Sequence, residues 1–339
     1  MKLDVLYGQK ETSSSPKFVM VTRESGIPLL GHIAFGILDR GSNLLQVRAT
    51  TLCNMNCSFC STDGGPYSKW HKTNYLVDVD YLADEVENIA KIKGDGLIIF
   101  LDSVGEPMSY PHFVDLVRKL RKIPEISEIV VITNGTFLTK EKIDQLQEAG
   151  LTRINLSLHS LKKDLSKELF GSKSYDIGTI KESISYIIQK GLDLMITPVL
   201  IPGVNDQDIE EIIAFAKEHR CTIGLQKYEV YTHSRKMKEV KSQTYWKFYQ
   251  RVKELEKKYT MPLVMRAPDV HVEKRQRISD VFSLRENVFV DIVCFGWMPG
   301  QMIGKAKNRC ISINNCQKQI GDRVKVKILQ NKNNIYLAE

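Results

Sequence analysis

The spacing of hydrophobic residues changes repeatedly between residues 44 and 265. Short apolar runs, typical of buried parallel strands, alternate with segments whose apolar residues recur at helical spacing. The apolar runs are LLQVRATT (44–51), GLIIFLDS (96–103), EIVVIT (128–133), TRINLSL (152–158), LDLMITPVLI (192–201) and CTIGLQKYEV (221–230). About six strand–helix units in succession predict a parallel sheet with right-handed crossovers. Periodicity alone leaves open whether this sheet is flat or curved into a partial barrel.

Amphipathic helices are predicted between these strands. In the first helix, Val79, Leu82 and Val86 fall on one face. In the third, Thr139 is the expected N-cap and Gly150 the expected stop. The helical segments are VDVDYLADEVENIAKIK (77–93), HFVDLVRKLRK (112–122), TKEKIDQLQEAG (139–150), YDIGTIKESISYIIQKG (175–191), NDQDIEEIIAFAKEH (205–219) and YWKFYQRVKELEKKY (245–259).

The pattern differs on both sides of this α/β region. Before it, IAFGIL and LLQVR flank DRGSN, which predicts a β-hairpin. After residue 280 the apolar runs are short and alternate with basic residues, as in DRVKVKIL (322–329). We therefore predict an N-terminal extension (1–43), an α/β core (44–279) and a small basic β-barrel (280–339).

Charge and composition narrow the function classes. Residues 227–277 contain 14 Lys and Arg against 6 Asp and Glu, and residues 299–339 contain 8 against 2. Two basic regions fit a polyanionic partner, although a solvated lysine-rich surface explains them equally well. The absence of a long apolar run or an N-terminal apolar segment predicts no membrane span and no secretion. Seven cysteines in no regular framework predict a reducing, cytoplasmic environment.

Three of those cysteines lie within eight residues, in CNMNCSFC (53–60). A structural zinc site or a closed iron–sulfur site uses four protein ligands, but Cys53, Cys57 and Cys60 have no fourth cysteine nearby. Three thiolates on a four-iron cluster leave one iron for a ligand that is not protein. His71 as the fourth ligand of a zinc ion is the alternative. The CxxxCxxC spacing after a first strand favours the open cluster.

Four further motifs follow the cysteine loop, each at the end of a predicted strand. They are SVGEP (103–107), ITNG (132–135), SLHS (157–160) and PVLIPGVND (198–206). With CNMNCSFC they make the chain resemble the radical SAM superfamily over about residues 44–230. The resemblance implies a partial (β/α)6 barrel fold, with ligands at the carboxyl ends of the strands.

The same resemblance implies the cofactors. They are a [4Fe–4S] cluster on Cys53, Cys57 and Cys60, and S-adenosylmethionine (SAM) bound at the open iron. An electron donor such as ferredoxin or flavodoxin would reduce the cluster, and SAM would be cleaved to methionine and a 5′-deoxyadenosyl radical that abstracts hydrogen. The cofactors supply this reactivity, and the protein supplies positioning and electrostatics.

Candidate SAM contacts follow from the same motifs. Gly105 allows close approach of the backbone, and Glu106 is expected to accept hydrogen bonds from the SAM ammonium group. Phe59 occupies the position that the family places near adenine.

The other candidate SAM contacts belong to ITNG and SLHS. Asn134 is a candidate donor to the SAM carboxylate, and Ser157 and His159 are candidates for the ribose or carboxylate. The family often has an aspartate where this chain has His159.

The four remaining cysteines, Cys221, Cys294, Cys310 and Cys316, form no close pair. An auxiliary cluster is one interpretation, but buried free thiols are the favoured one.

The substrate is the least determined feature. The C-terminal segment is similar to a TRAM-like RNA-binding barrel, and residues 226–253 interleave basic residues with aromatics. In the second region Tyr228, Tyr231, Tyr245 and Trp246 are candidates for stacking on unpaired bases, although a helix with core-facing aromatics is the favoured interpretation. We therefore expect modification of tRNA or another RNA, of unspecified chemistry. The alternatives are a radical maturase for a peptide or protein and a non-catalytic zinc protein.

Overall fold

An open seven-stranded sheet forms the centre of the molecule in a computed structural model that describes residues 16–339. The order across this sheet is β10–β8–β7–β6–β5–β3–β2, numbering strands along the chain. The strands are β1 (Lys17–Val21), β2 (Gly36–Asp39), β3 (Leu44–Arg48), β4 (Thr73–Val77), β5 (Leu97–Leu101), β6 (Ile126–Thr133), β7 (Arg153–Leu156), β8 (Asp193–Ile196), β9 (Val199–Leu200), β10 (Thr222–Ile223), β11 (Gln226–Lys227), β12 (Asn287–Phe295), β13 (Met302–Ala306), β14 (Arg309–Ile313), β15 (Arg323–Gln330) and β16 (Leu337–Ala338).

Six of these sheet strands, β3, β5, β6, β7, β8 and β10, pair in parallel and in chain order. Helices connect them: α1 (Val79–Lys93), α2 (Phe113–Arg121), α3 (Lys140–Glu148), α4 (Lys163–Phe170), α5 (Ile177–Gln189), α6 (Asp206–Glu218) and, after the last strand, α7 (Tyr245–Tyr259). This arrangement confirms the predicted partial (β/α)6 barrel.

Local sequence explains where the helices begin and end. Asp78 caps α1 by accepting a hydrogen bond from the Tyr81 amide, and Gly94 ends the helix at φ 77°. Thr139 caps α3 through the Lys142 amide, as predicted. Apolar residues at helical spacing on each helix face the sheet and are buried in one continuous core.

The structure departs from the predicted elements in several places, including strands β1 and β4, which were not predicted. Helix α4 was not expected as a separate element. The run 192–201 divides into β8 and β9 because Pro198 has no amide hydrogen to donate to a neighbouring strand. The run 221–230 forms only two short strands, β10 and β11, on either side of Gly224.

The N-terminal hairpin is present, with β2 antiparallel to β3 and Gly36 opposite Arg48. Its turn passes through Gly41 at φ 86°, a conformation that favours glycine. β4, which follows the cysteine loop, pairs in parallel with β1. Residues 1–15, which contain most of the segment used to argue against secretion, lie outside the described region.

The C-terminal strands close into a five-stranded barrel with the order β12–β13–β14–β16–β15. In β15 the alternation is as predicted, because Val326 and Ile328 are buried while Lys325 and Lys327 are exposed. The small β-barrel is therefore confirmed. Its TRAM-like character and the boundaries at residues 43 and 279 remain predictions.

This barrel packs tightly against the N-terminal segment. The Cys310 amide donates to the Leu30 carbonyl at 2.7 Å, and the Tyr336 amide donates to the Gly31 carbonyl at 3.1 Å. Barrel residues Cys294, Trp297, Ile303 and Cys310 are part of the main hydrophobic core. One face of the barrel therefore packs into the main core, which accounts for the burial of Cys294 and Cys310, while the barrel interior forms a second core of its own. Within residues 16–339, no helix combines the length and hydrophobicity that a membrane span requires.

Gly31 gives a test of this packing. A Cβ at Gly31 (φ 109°) would lie 2.2 Å from the Cys310 carbonyl oxygen, whereas one at Gly191 (φ 68°) would meet nothing within 4 Å. We expect Gly191→Ala to lower the free energy of unfolding by about 1–2 kcal/mol through backbone strain alone. Gly31→Ala should cost a further ~1–3 kcal/mol from overpacking. Urea unfolding of both variants measures the difference, and equal losses would contradict the tight contact.

Candidate functional site

A cavity of about 640 Å³ lies at the carboxyl ends of the parallel strands. Its walls come from the segments that follow β3, β5, β6, β7, β8 and β10. All nine candidate site residues line it: Cys53, Cys57, Phe59, Cys60, Gly105, Glu106, Asn134, Ser157 and His159. The fold thus brings together motifs that are up to about a hundred residues apart, because parallel strands end at the same edge of the sheet.

The cysteine loop is held in place by its backbone. The Asn56 amide donates to the Phe170 carbonyl at 3.0 Å, and the Ser58 amide donates to the Leu169 carbonyl at 2.9 Å. These bonds fasten the loop to the end of α4. Helix α4, which was not predicted, therefore supports the loop that carries the three thiols.

The three cysteines are partly exposed to the cavity, and the protein around them desolvates the thiols of Cys53 and Cys57. Burial raises the pKa of Cys53 to about 12 and that of Cys57 well above its ordinary value, and the neighbouring cysteines raise both further. The Cys60 sulfur accepts a hydrogen bond from the Gly64 amide at 3.2 Å. Without metal, Cys53 and Cys57 keep their protons at neutral pH, so binding as thiolates requires the positive charge of a metal centre.

Glu106 is the main buried acid of the cavity, with 2% of its surface exposed. One carboxylate oxygen accepts from the Thr133 hydroxyl at 2.7 Å and the Met108 amide at 3.0 Å, and the other accepts from the Asn134 amide at 2.8 Å. Burial nevertheless raises its pKa to about 7. Within residues 16–339 this carboxyl group forms no salt bridge, and its hydrogen-bond partners are uncharged. A cationic ligand group would supply the missing charge partner.

A contact within the protein also requires glycine at position 105. A Cβ there would lie 2.3 Å from the Leu52 carbonyl oxygen and 2.6 Å from that of Thr51. The Glu106 amide also donates to the Leu52 carbonyl at 2.7 Å. The close approach is thus between two backbone segments, and it fixes Glu106 beside the start of the cysteine loop.

Asn134 is already engaged with the protein. Its side-chain nitrogen donates to Asn54 at 2.9 Å, and its oxygen accepts from the Thr136 amide at 3.0 Å. Since Asn54 belongs to the cysteine loop, Asn134 ties the end of β6 to that loop. Ser157 lies on the cavity wall after β7, with its amide donating to the Thr133 carbonyl at 2.8 Å.

His159 and Phe59 contact each other edge to face, with ring centroids 4.7 Å apart. The Val199 amide donates to His159 Nδ1 at 3.1 Å, which leaves the ring hydrogen on Nε2. Burial lowers the pKa of His159 to about 3, so the ring is neutral at physiological pH. His159 is therefore a buried neutral donor and not a surface residue.

The alternative zinc ligand, His71, lies elsewhere. It is 5% exposed and packs on Trp297 with ring centroids 4.2 Å apart, and it does not line the cavity. In the described part of the chain, no three His, Cys, Asp or Glu side chains are arranged to hold a single metal ion. Three cysteines in one cavity instead suit an iron–sulfur cluster, whose thiolates each bind a different iron atom.

A match to the family model described as the radical SAM superfamily covers residues 47–216. The chain belongs to the radical SAM superfamily. Radical SAM proteins bind a [4Fe–4S] cluster and SAM, and the three thiols and the unpaired buried carboxyl group of Glu106 fit these two groups. The prediction of family, fold and cofactors from the strand-end motifs is thereby confirmed.

Sequence relatives of this radical SAM protein extend beyond the matched domain. An uncharacterised protein of Methanocaldococcus jannaschii is 37% identical over 92% of this chain and 78% of its own length. GTP 3′,8-cyclase of Aquifex aeolicus is 30% identical over 56% of this chain and 58% of the cyclase. A solved radical SAM methyltransferase from Sphaerobacter thermophilus is 19% identical, covers 66% of this chain and 65% of that chain, and has a TM-score of 0.49. That structural likeness is too weak to bear on the substrate.

The aromatic side chains of residues 226–253 differ from the favoured expectation. Tyr228 is buried, but Tyr231 and Tyr245 are each 59% exposed and Trp246 is 67% exposed. The core-facing positions of α7 are occupied by Phe248, Val252 and Leu255. The interpretation that the helix aromatics face the core was therefore wrong for Tyr245 and Trp246, because their helical spacing places them outside the buried stripe.

Sequence reasoning missed residues 231–237, which contact the cysteine loop. Arg235, in this segment, forms a salt bridge with Asp63 at 2.7 Å. The two residues are far apart in sequence and belong to irregular segments, so no periodicity indicates the contact. The only local signal was the DGG turn at residues 63–65.

The raised pKa of Glu106 predicts a pH dependence of stability. The folded chain keeps this proton up to about pH 7, whereas the unfolded chain loses it near 4.5, so raising the pH across that range favours unfolding. Relative to Glu106→Gln, the metal-free wild type should lose on the order of 3 kcal/mol of stability between pH 4.5 and pH 8. Urea unfolding at both pH values measures this change. A difference between the two proteins that does not vary with pH would contradict it.

Proposed function

We propose that this radical SAM enzyme modifies RNA, with an unpaired nucleotide entering the cavity beside the cluster. The observation that carries the proposal is the pair of exposed aromatic side chains Tyr231 and Tyr245. Tyr231 lines the cavity, and the Tyr245 ring lies 4.9 Å from the ammonium of Lys227, a largely buried cavity residue that pairs with Glu229. Stacked bases are the groups that exposed aromatic rings suit.

Within the proposal, the core residues bind the cofactors. Cys53, Cys57 and Cys60 hold the cluster, and the Glu106 carboxylate accepts hydrogen bonds from the SAM ammonium group. When bound and reduced, the cluster supplies the electron that cleaves SAM to methionine and a 5′-deoxyadenosyl radical. Burial of the cavity walls keeps water away from the radical.

Four other residues orient SAM in this proposal. Asn134 and Ser157 donate toward its carboxylate, Asn134 through the amide hydrogen that Asn54 does not take. Neutral His159 donates from Nε2 toward the ribose, and Phe59 packs near adenine.

Helix α7 offers part of the RNA surface. Tyr245 and Tyr249 stack on each other with centroids 6.3 Å apart, and both are exposed, as is Trp246. Base stacking on such aromatics contributes about 1–3 kcal/mol per base and does not depend on base identity. This surface therefore supports contact with unpaired nucleotides rather than duplex.

The C-terminal barrel offers a second RNA surface. Phe289 on β12 is 58% exposed and lies opposite Lys325 on β15. The guanidinium carbon of Arg323 lies 5.8 Å from the centroid of this ring and the Lys325 ammonium lies 6.0 Å from it. An exposed aromatic flanked by two cations supports a nucleic-acid contact, as in other single-strand-binding surfaces.

A free purine nucleotide is the second candidate substrate. The relatives named GTP 3′,8-cyclase support it, because their name gives a guanine nucleotide as substrate. Neither the α7 surface nor the barrel surface is needed for a substrate that is enclosed in the cavity. RNA is therefore preferred.

Point variants test the RNA surfaces better than deletion of the barrel, because one face of the barrel packs into the main core. Lys325→Gln and Lys327→Gln should each reduce the slope of log affinity for tRNA against log salt concentration by about one, because each removes one phosphate contact. Trp246→Ala should weaken binding by about 1–3 kcal/mol without changing that salt dependence. Filter binding at several salt concentrations gives both quantities. Lys91→Gln and Ile92→Ala on α1 are the controls, and binding that none of the variants alters would contradict the proposed surfaces.

RNA modification itself can be tested in cells. We expect a modified nucleoside to disappear from RNA when the gene is deleted, and to return with the wild-type gene but not with Cys57→Ala. Mass spectrometry of total nucleosides measures this. An unchanged nucleoside profile would contradict RNA modification, and loss of a small nucleotide product instead would favour the second candidate.

A further inference from the structure

Residues 231–237, here called the strap, lie across the cysteine loop. The Arg235 amide donates to the Cys60 carbonyl at 2.9 Å, and the Ser234 hydroxyl donates to the Ser61 carbonyl at 2.8 Å. The strap therefore fastens the end of the CNMNCSFC segment through backbone contacts.

The guanidinium group of Arg235 extends these contacts along the loop. It donates to the carbonyls of Cys57 at 3.1 Å and Asp63 at 3.3 Å, and also to that of Gly64. Only 15% of the side chain is exposed. A planar group with several fixed donors is suited to bridging carbonyls that face one point, and a lysine ammonium lacks that geometry. Arg235 thus joins the middle of the cysteine loop to the turn that follows it.

Asp63 is the partner that fixes the guanidinium. Its carboxylate lies 2.7 Å from Arg235 Nε and also accepts from the Ser68 hydroxyl at 3.0 Å and the Lys69 amide at 2.7 Å. Its side chain is 3% exposed, and its backbone has φ 56°. Asparagine adopts this backbone conformation as readily as aspartate does, so Asp63→Asn removes the charge with little strain.

The ion pair is oriented with respect to the cysteine loop. The guanidinium of Arg235 donates to the carbonyl of Cys57, whereas one carboxylate oxygen of Asp63 accepts from the Ser68 hydroxyl and the Lys69 amide in the turn that follows the loop. The positive end of the pair therefore faces the cluster ligands. In a buried site such a charge interacts strongly, because little water is present to screen it.

We propose that Arg235 is a positioning residue for the [4Fe–4S] cluster, which holds the cysteine loop in shape and raises the reduction potential of the cluster. Reduction adds one negative charge to the cluster, and a nearby cation stabilises the reduced form more than the oxidised form. Asp63 opposes this effect and limits it. The proposal does not depend on the identity of the substrate. Evidence against RNA modification would therefore leave it unaffected.

The test is a redox titration of the reconstituted full chain, followed by electron paramagnetic resonance, with no SAM and no RNA present. Arg235→Gln should shift the potential to more negative values, and Asp63→Asn should shift it to less negative values. Arg235→Lys should keep a potential near that of the wild type but retain less iron after gel filtration, because it cannot bridge the loop carbonyls. Arg251→Gln, which removes an arginine from a surface pair with Glu210, should leave the potential unchanged.

Opposite shifts in Arg235→Gln and Asp63→Asn support the proposal, because a residue that only stabilises the fold gives no reason for opposite signs. Shifts of the same sign, or a potential of Arg235→Gln equal to that of the wild type, would overturn it. If Arg235→Gln retains no iron, the positioning role is supported. The potentials of Asp63→Asn and Arg235→Lys then decide the role of the charge.

Discussion

Burial of the cysteine sulfurs is the constraint on which the rest of the site depends. Desolvation and mutual repulsion keep Cys53 and Cys57 protonated in the metal-free chain. The loop therefore cannot be shaped by its own thiolates, and its shape has to come from neighbouring elements. The backbone bonds to α4 and the guanidinium of Arg235 supply it. The site is consequently built before the cluster binds, which lowers the ordering cost of binding.

Glu106, which is also buried, holds neighbouring strand ends of the site together. Its carboxylate joins the loop after β5 to the end of β6, through the Thr133 hydroxyl and the Asn134 amide. The backbone contact at Gly105 and the bond from Asn134 to Asn54 attach both strand ends to the cysteine loop. Residues that would touch SAM therefore also hold one another in place. Substitution of any of them is expected to change local structure as well as cofactor contact.

Sequence predicted the features that depend on regular spacing or on strand ends. Apolar periodicity located the six parallel strands, and the motifs at their ends located the cavity. Periodicity did not show that Tyr245 and Trp246 are exposed, because an amphipathic helix with aromatics on both faces does not reveal which face packs. The contact between Arg235 and Asp63 joins two irregular segments distant in sequence, so no local pattern encodes it. Gly105 lines the cavity as a candidate SAM contact, but the contact that excludes a Cβ there is with the Leu52 carbonyl, which only the folded chain brings near.

The strap makes the cavity mouth and the cysteine loop one connected unit. Tyr231 at the mouth donates its amide to the Ser234 hydroxyl at 2.7 Å, and that hydroxyl in turn donates to the Ser61 carbonyl. The next residue, Arg235, bonds to Cys57 and Cys60. Any ligand that displaces Tyr231 therefore acts on a segment that is bonded directly to the loop of the cluster ligands. Because these bonds are direct, a movement at the mouth reaches the loop through only four residues of backbone.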